Sequence, residues 1–175
     1  MSSTRHVMLI RHAEEPDHSA GILGVDEQGR PDDEALSVRG WQRAGALARL
    51  FAPRTGTAPH PLAQPVSIFA ATDSGKSHRP LCTVLPLARL LGLRIDTRFG
   101  SEGEVAPLLD AVRASPGPVL LCWRHQTLGG IAQALCGGAP RTWDAARYDL
   151  VWAFERQGEC WRFTELPQRL LHGDG

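Results

Sequence analysis

Val7-Met8-Leu9-Ile10-Arg11-His12 is the stretch on which the fold turns. Four apolar residues in a row, with no polar alternation, read as a strand buried on both faces, as in a parallel sheet covered by helices on each side. The run stops abruptly at a guanidinium and an imidazole. Two later runs share its character, residues 66–71 and Val119–Trp123, and residues 93–97 are a shorter candidate.

Helical periodicity fills the gaps between these runs. Ser37 is placed to cap a helix whose Trp41, Ala44, Ala48 and Phe51 share one face, and Pro53 ends it. Residues 78–91 carry a stripe of Leu81, Val84, Leu85, Ala88 and Leu91, bent at Pro86 and closed by Gly92-Leu93 as a Schellman cap. Residues 104–114, with Pro107 in the first turn, and residues 128–135, closed by Gly137-Gly138, read as two more helices. Residues 148–154 and 160–163 form a hairpin joined through 155–159. Strands alternating with helices imply an α/β fold: a three-layer sandwich with a mostly parallel central sheet, helices on both faces and a C-terminal antiparallel hairpin. No internal repeat or linker interrupts residues 1–175, so a single domain is expected.

Composition narrows the function. Nineteen basic and nineteen acidic side chains cancel, and no basic run exists, which argues against a protein that grips nucleic acid. No apolar stretch approaches the length of a membrane span, and the short run after the N-terminus is too brief for a signal-peptide core. The four cysteines, Cys82, Cys122, Cys136 and Cys160, show no CxxC spacing and suit buried thiols in a reducing cytoplasm. Lys76 is the only lysine; the other eighteen cations are arginines, which can hold a phosphate or carboxylate with two parallel hydrogen bonds.

In open α/β sheets ligands bind outside the carboxyl ends of the strands. After the first strand come Arg11 and His12; after the second, at a helix start, Arg79; after the third, Glu102 and Glu104; after the fourth, His125. Two arginines can clamp phosphoryl oxygens as charge spreads over them in the transition state. A neutral imidazole can attack phosphorus and carry it covalently, and a second can donate to a phosphoryl oxygen. A protonated Glu can supply the leaving group with its proton. Arg124, next to His125, is expected to point away from it.

These residues carry a resemblance. Leu9-Ile10-Arg11-His12-Ala13-Glu14 resembles the Leu-x-Arg-His-Gly-Glu signature of the histidine phosphatase superfamily, the phosphoglycerate-mutase-like group. Leu36-Ser37-Val38-Arg39-Gly40-Trp41-Gln42 resembles that group's Leu-Thr-x-x-Gly-x-x-Gln-Ala helix start, and Arg79-Pro80-Leu81-Cys82-Thr83 its Arg-Ala-x-Gln-Thr helix. The resemblance spans roughly residues 6–136 and implies the three-layer fold inferred above. It also implies that His12 is the nucleophile, that Arg11, Arg79 and His125 bind the phosphoryl group, and that a Glu after the third strand is the proton donor. That nominates Glu104, with Glu102 second. Ala13 replaces the group's Gly, Cys82 its Gln, and the Asn that many members place in the first loop has no counterpart, since the chain contains none.

The expected function is therefore hydrolysis of a small phosphate monoester through a phosphohistidine on His12, in the cytoplasm, without metal or cofactor and without nucleic acid or membrane as partner. A mutase that moves phosphate within a sugar acid is the rival enzyme, disfavoured by 175 residues because such mutases are generally longer. A non-catalytic phospho-ligand or protein-binding module is the rival of another class. Oligomeric state is left open. Two motifs mislead. Residues 70–77 resemble a Walker A loop, but Ala70 stands where the first Gly is required. His12, Glu14, Glu15, Asp17 and His18 look metal-like, but Pro16 breaks the helix that would align them. The loop over residues 13–36, with eight acids against one Arg, reads as a solvated face.

Overall fold

A computed structural model describes residues 6–72 and 77–175, apart from the side chain of Glu102. In chain order, β1 (His6–Arg11) is followed by a two-stranded ribbon, β2 (Gly24–Val25) with β3 (Leu36–Ser37), and by α1 (Val38–Phe51). β4 (Ser67–Ala70), α2 (Arg79–Leu91) and β5 (Ile95–Asp96) come next. Then follow α3 (Val105–Ala114), β6 (Val119–Trp123) and α4 (His125–Leu135), and β7 (Leu150–Gln157) and β8 (Cys160–Pro167) close the chain.

Six strands form one sheet in the order β5-β4-β6-β1-β7-β8. The first four run parallel, with Arg11 opposite Trp123 at the carboxyl end of β1, while β7 and β8 run antiparallel. Alternate residues of the buried strands serve opposite cores. Val7, Leu9, Leu121 and Trp152 pack with α3 and α4; Met8, Ile10, Leu120 and Val151 pack with α1 and α2. A continuous apolar run is what a strand covered on both sides requires. The three-layer α/β architecture read from the sequence is the one observed.

Local chemistry explains the boundaries. Ser37 Oγ accepts from the Gly40 N–H at 3.1 Å and starts α1. Gly92, at φ 66°, ends α2, with the Leu93 N–H donating back to the Ala88 carbonyl at 2.9 Å. α4 begins at His125 itself, not at residue 128, because its polar first turn precedes the apolar periodicity that marks the helix in the sequence. The face α2 buries is also rotated from expectation: Thr83 and Leu87 are buried with Val84 and Ala88, while Leu81 and Leu85 are half-buried. The hairpin strands are longer than expected and turn at Gly158-Glu159, Gly158 taking φ 62°.

All four cysteines are free thiols; Cys82 and Cys122 are buried as expected, but Cys136 is half-buried and Cys160 exposed. Residues 73–76, the heart of the Walker-like stretch, lie outside the described residues. No helix among the described residues is long and apolar enough to cross a membrane.

Candidate active site

β1 delivers its last residue and the one after it to the carboxyl edge of the sheet. The His12 N–H continues the ladder to the Trp123 carbonyl at 2.9 Å, which fixes where the imidazole emerges. The ring is only 4% exposed, and its Nδ1 lies 2.8 Å from the Ala13 carbonyl. A carbonyl can only accept, so Nδ1 carries the proton and Nε2 keeps its lone pair. Burial pushes the His12 pKa down to about 4, with Arg11 and Arg79 adding to the effect against the Ala13 bond and Glu15. His12 is neutral near pH 7, with one nitrogen free to react.

Thr83 anchors the backbone beside it. Its hydroxyl accepts from the Ala13 N–H at 2.8 Å and donates to the Arg79 carbonyl at 2.8 Å, joining the first turn of α2 to the chain just past His12. Arg79 thereby starts a helix that is tied to the nucleophile's own loop. Its Nε donates to the Ala35 carbonyl at 3.2 Å and its Nη2 to the Asp33 carbonyl at 2.7 Å.

Arg11 is 2% exposed and lies over the ring of Tyr148, its guanidinium carbon 3.8 Å from the ring centroid. Nη1 donates to the Ala145 carbonyl and Nη2 to the Tyr148 hydroxyl at 3.1 Å, but among the described residues the buried Nε has no partner. His125 opens α4, and its buried Nδ1 is also without a partner among the described residues. Burial, then Arg11, lowers the His125 pKa. Unpartnered polar atoms on two of the three residues expected to bind the phosphoryl group are what a site shaped for a ligand would show.

The acidic loop is not simply a solvated face. Glu15 bridges the two arginines, accepting from Arg11 Nη2 and from Arg79 Nη1 at 3.2 Å each, and from the Tyr148 hydroxyl at 3.0 Å. Burial raises the Tyr148 pKa to about 12, so the hydroxyl stays a donor. Glu14 turns inward the other way, against Arg43 at 2.8 Å, which also pairs with Asp174 at 2.7 Å.

Arg11, His12, Arg79 and His125 are thus brought to one edge of the sheet. Glu104 has other partners: its Oε2 accepts from the Gly100 and Ser101 N–H groups at 2.8 Å each, and these bonds lower its pKa. No hydrogen bond or ion pair among the described residues links it to the cluster, and the Glu102 side chain lies outside them. Arg124 donates to the Gly100 carbonyl at 2.9 Å. Among the described residues no group of three His, Cys, Asp or Glu side chains could hold a metal ion.

Tyr148, Thr83 and Glu15 are the residues the sequence reading missed. Tyr148 stands just before β7, and an antiparallel strand brings its beginning, not its end, to the carboxyl edge of β1. Thr83 lies one helical turn after Arg79, a spacing visible in advance. Glu15 has no signal beyond lying four residues after Arg11. A cavity of about 520 Å³ beside β4 and β5 is lined by none of these groups.

No protein-family model and no curated protein matches the chain. Solved structures do. The protein histidine phosphatase SixA complexed with tungstate is similar at 15% identity and TM-score 0.58, covering 93% of this chain and 97% of that one. A mycobacterial glucosyl-3-phosphoglycerate phosphatase complexed with VO3 is similar at 19% identity and TM-score 0.58, covering 92% and 98%. A phosphoglycerate mutase from Bacillus anthracis is similar at 10% identity and TM-score 0.58, covering 94% and 93%. That mutase is matched over nearly its whole length, so 175 residues does not separate phosphatase from mutase.

Proposed function

The chain has the fold of the histidine phosphatase superfamily, and we propose that on it His12 forms a phosphohistidine in the hydrolysis of a small phosphate monoester. The carrying observation is the state of His12: neutral through burial, with Nδ1 tied to the Ala13 carbonyl and Nε2 left as the nucleophile. Nε2 attacks phosphorus and the ester P–O bond breaks to release the alcohol, while Arg11 and Arg79 stabilise the charge developing on the phosphoryl oxygens. The unpartnered Arg11 Nε and His125 Nδ1 gain partners when that group arrives. Water then attacks phospho-His12, releasing phosphate and the neutral imidazole.

Each step is carried by side chains of the cluster, and no cofactor or metal is assigned to it. The reading places the protein in the cytoplasm, acting on a small phosphorylated molecule. The phosphatases among the similar structures support hydrolysis as the reading. The test is release of alcohol from an aryl phosphate by the wild-type protein and by His12→Ala. The variant is expected to lose activity by a factor on the order of 10³ or more, as a missing nucleophile requires. Chelator leaves the wild-type rate unchanged. Equal rates in the two proteins, or no turnover in either, would sink the proposal.

A further inference from the structure

Glu15 sits where a substrate oxyanion has to go. Its two oxygens are shared among Arg11, Arg79 and Tyr148, so one carboxylate bridges the two guanidiniums assigned above to the phosphoryl group. A phosphoryl dianion carries more charge and more acceptor oxygens than a carboxylate, and is the stronger ligand for two guanidiniums. On its arrival Glu15 loses two cationic partners and gains an anionic neighbour. Both changes favour the protonated carboxyl.

Position supports a use for that proton. His12 lies at the floor of the cluster, while the Glu15 side chain is 36% exposed and lines a cavity of about 360 Å³ with Pro16, Ile22 and Tyr148. An in-line displacement expels the leaving oxygen on the side opposite the nucleophile. With the nucleophile buried and the Glu15 side chain more exposed than those of Arg11 and Arg79, that oxygen departs toward Glu15. The charged and titratable groups around it are Arg11, Arg79, Tyr148, His12 and His125, and Glu14, Asp17 and Arg39 line the same cavity.

We propose that Glu15 is the proton donor to the leaving group, loaded with its proton when the phosphoryl group takes over Arg11 and Arg79. The assignment rests on the phosphatase function proposed above. In the first step the His12 Nε2–phosphorus bond forms, the ester P–O bond breaks, and the Glu15 proton passes to the leaving oxygen, giving the free alcohol. In the second, water attacks phosphorus, Glu15 takes a proton from that water, and the N–P bond breaks to release phosphate and neutral His12. When phosphate leaves, Glu15 gives its proton to solvent and returns to the arginines.

The test is the single-turnover rate of alcohol release, which reads the first step alone, across phosphate monoesters whose leaving groups run from nitrophenol to primary alcohols, for the wild type and for Glu15→Gln. The wild type is expected to be nearly indifferent to the leaving group. Glu15→Gln is expected to lose about 10²–10⁴-fold on alkyl esters, as removal of a general acid does, and under about tenfold on the nitrophenyl ester. A wild-type rate that falls steeply with leaving-group basicity overturns the assignment without any variant. So does a Glu15→Gln protein that leaves both ester classes alone, or slows both equally. A wild type inactive on every ester instead overturns the phosphatase function, and this assignment with it.

Discussion

His12 is a neutral base in a buried place, and that has a consequence for stability. Its pKa of about 4 in the folded protein lies below the ordinary 6.5, so on acidification the unfolded chain binds the proton first. The contribution is fully present above pH 6.5, and it is lost as pH falls toward 4. By linkage the loss totals about 3 kcal/mol. Chemical denaturation at several pH values should therefore show a steeper decline over that window for the wild type than for His12→Gln. Identical slopes would mean the imidazole is not held neutral. Thr83 makes a second case. Thr83→Val leaves the buried Ala13 N–H without an acceptor and should lower stability by about 1–3 kcal/mol. It should also slow turnover, because the backbone that orients His12 is released; unchanged kcat with the same variant would show that the anchor is dispensable.

At the scale of elements, close backbone approaches hold the site's scaffold. α1 packs against the Glu14 backbone at Gly40, where an added Cβ would stand 2.4 Å from the Glu14 carbonyl oxygen. α4, which carries His125, meets the Arg141 carbonyl at Gly129, where an added Cβ would stand 1.7 Å away. Gly129→Ala must push α4 from its seat, and a loss of about 1–3 kcal/mol is expected in thermal or chemical unfolding. An unaltered melting curve would contradict the packing described here. These contacts are invisible in the sequence, whereas the elements themselves were legible. Continuous apolar runs exposed the buried strands, and Ser37 and Gly92 marked helix ends by their own chemistry. What failed was inference from periodicity where polar residues do structural work. The first turn of α4 is His125-Gln126-Thr127, and the buried face of α2 includes the hydroxyl of Thr83. Tyr148 is hidden from a reading of strand ends because it stands just before an antiparallel strand, whose beginning and not its end meets the carboxyl edge of β1.

Across the whole molecule, charge is neutral in sum and concentrated in place. Nineteen cations balance nineteen anions, yet Arg11 and Arg43, both 2% exposed, sit in the interior with their partners chosen. Arg43 ties the loop after β1 to the C-terminal segment through Glu14, Gln168 and Asp174. Asp174 is held well below the usual carboxylate range by Arg43. Removing one partner leaves the others buried and uncompensated, so Arg43→Ala should cost about 3–5 kcal/mol in unfolding experiments. A loss under 1 kcal/mol would show that this network is not part of the stability. Arg11 differs because its partner Glu15 can be exchanged for a phosphoryl group, and that exchange is what would link the fold's edge to chemistry.

The most direct measurement is a quenched single turnover with an aryl phosphate, followed by mass spectrometry under alkaline conditions that preserve phosphohistidine. A phosphoryl adduct on His12, absent from His12→Ala, is the expected result. Turnover with no adduct on His12, or with the adduct on another residue, would contradict the central claim.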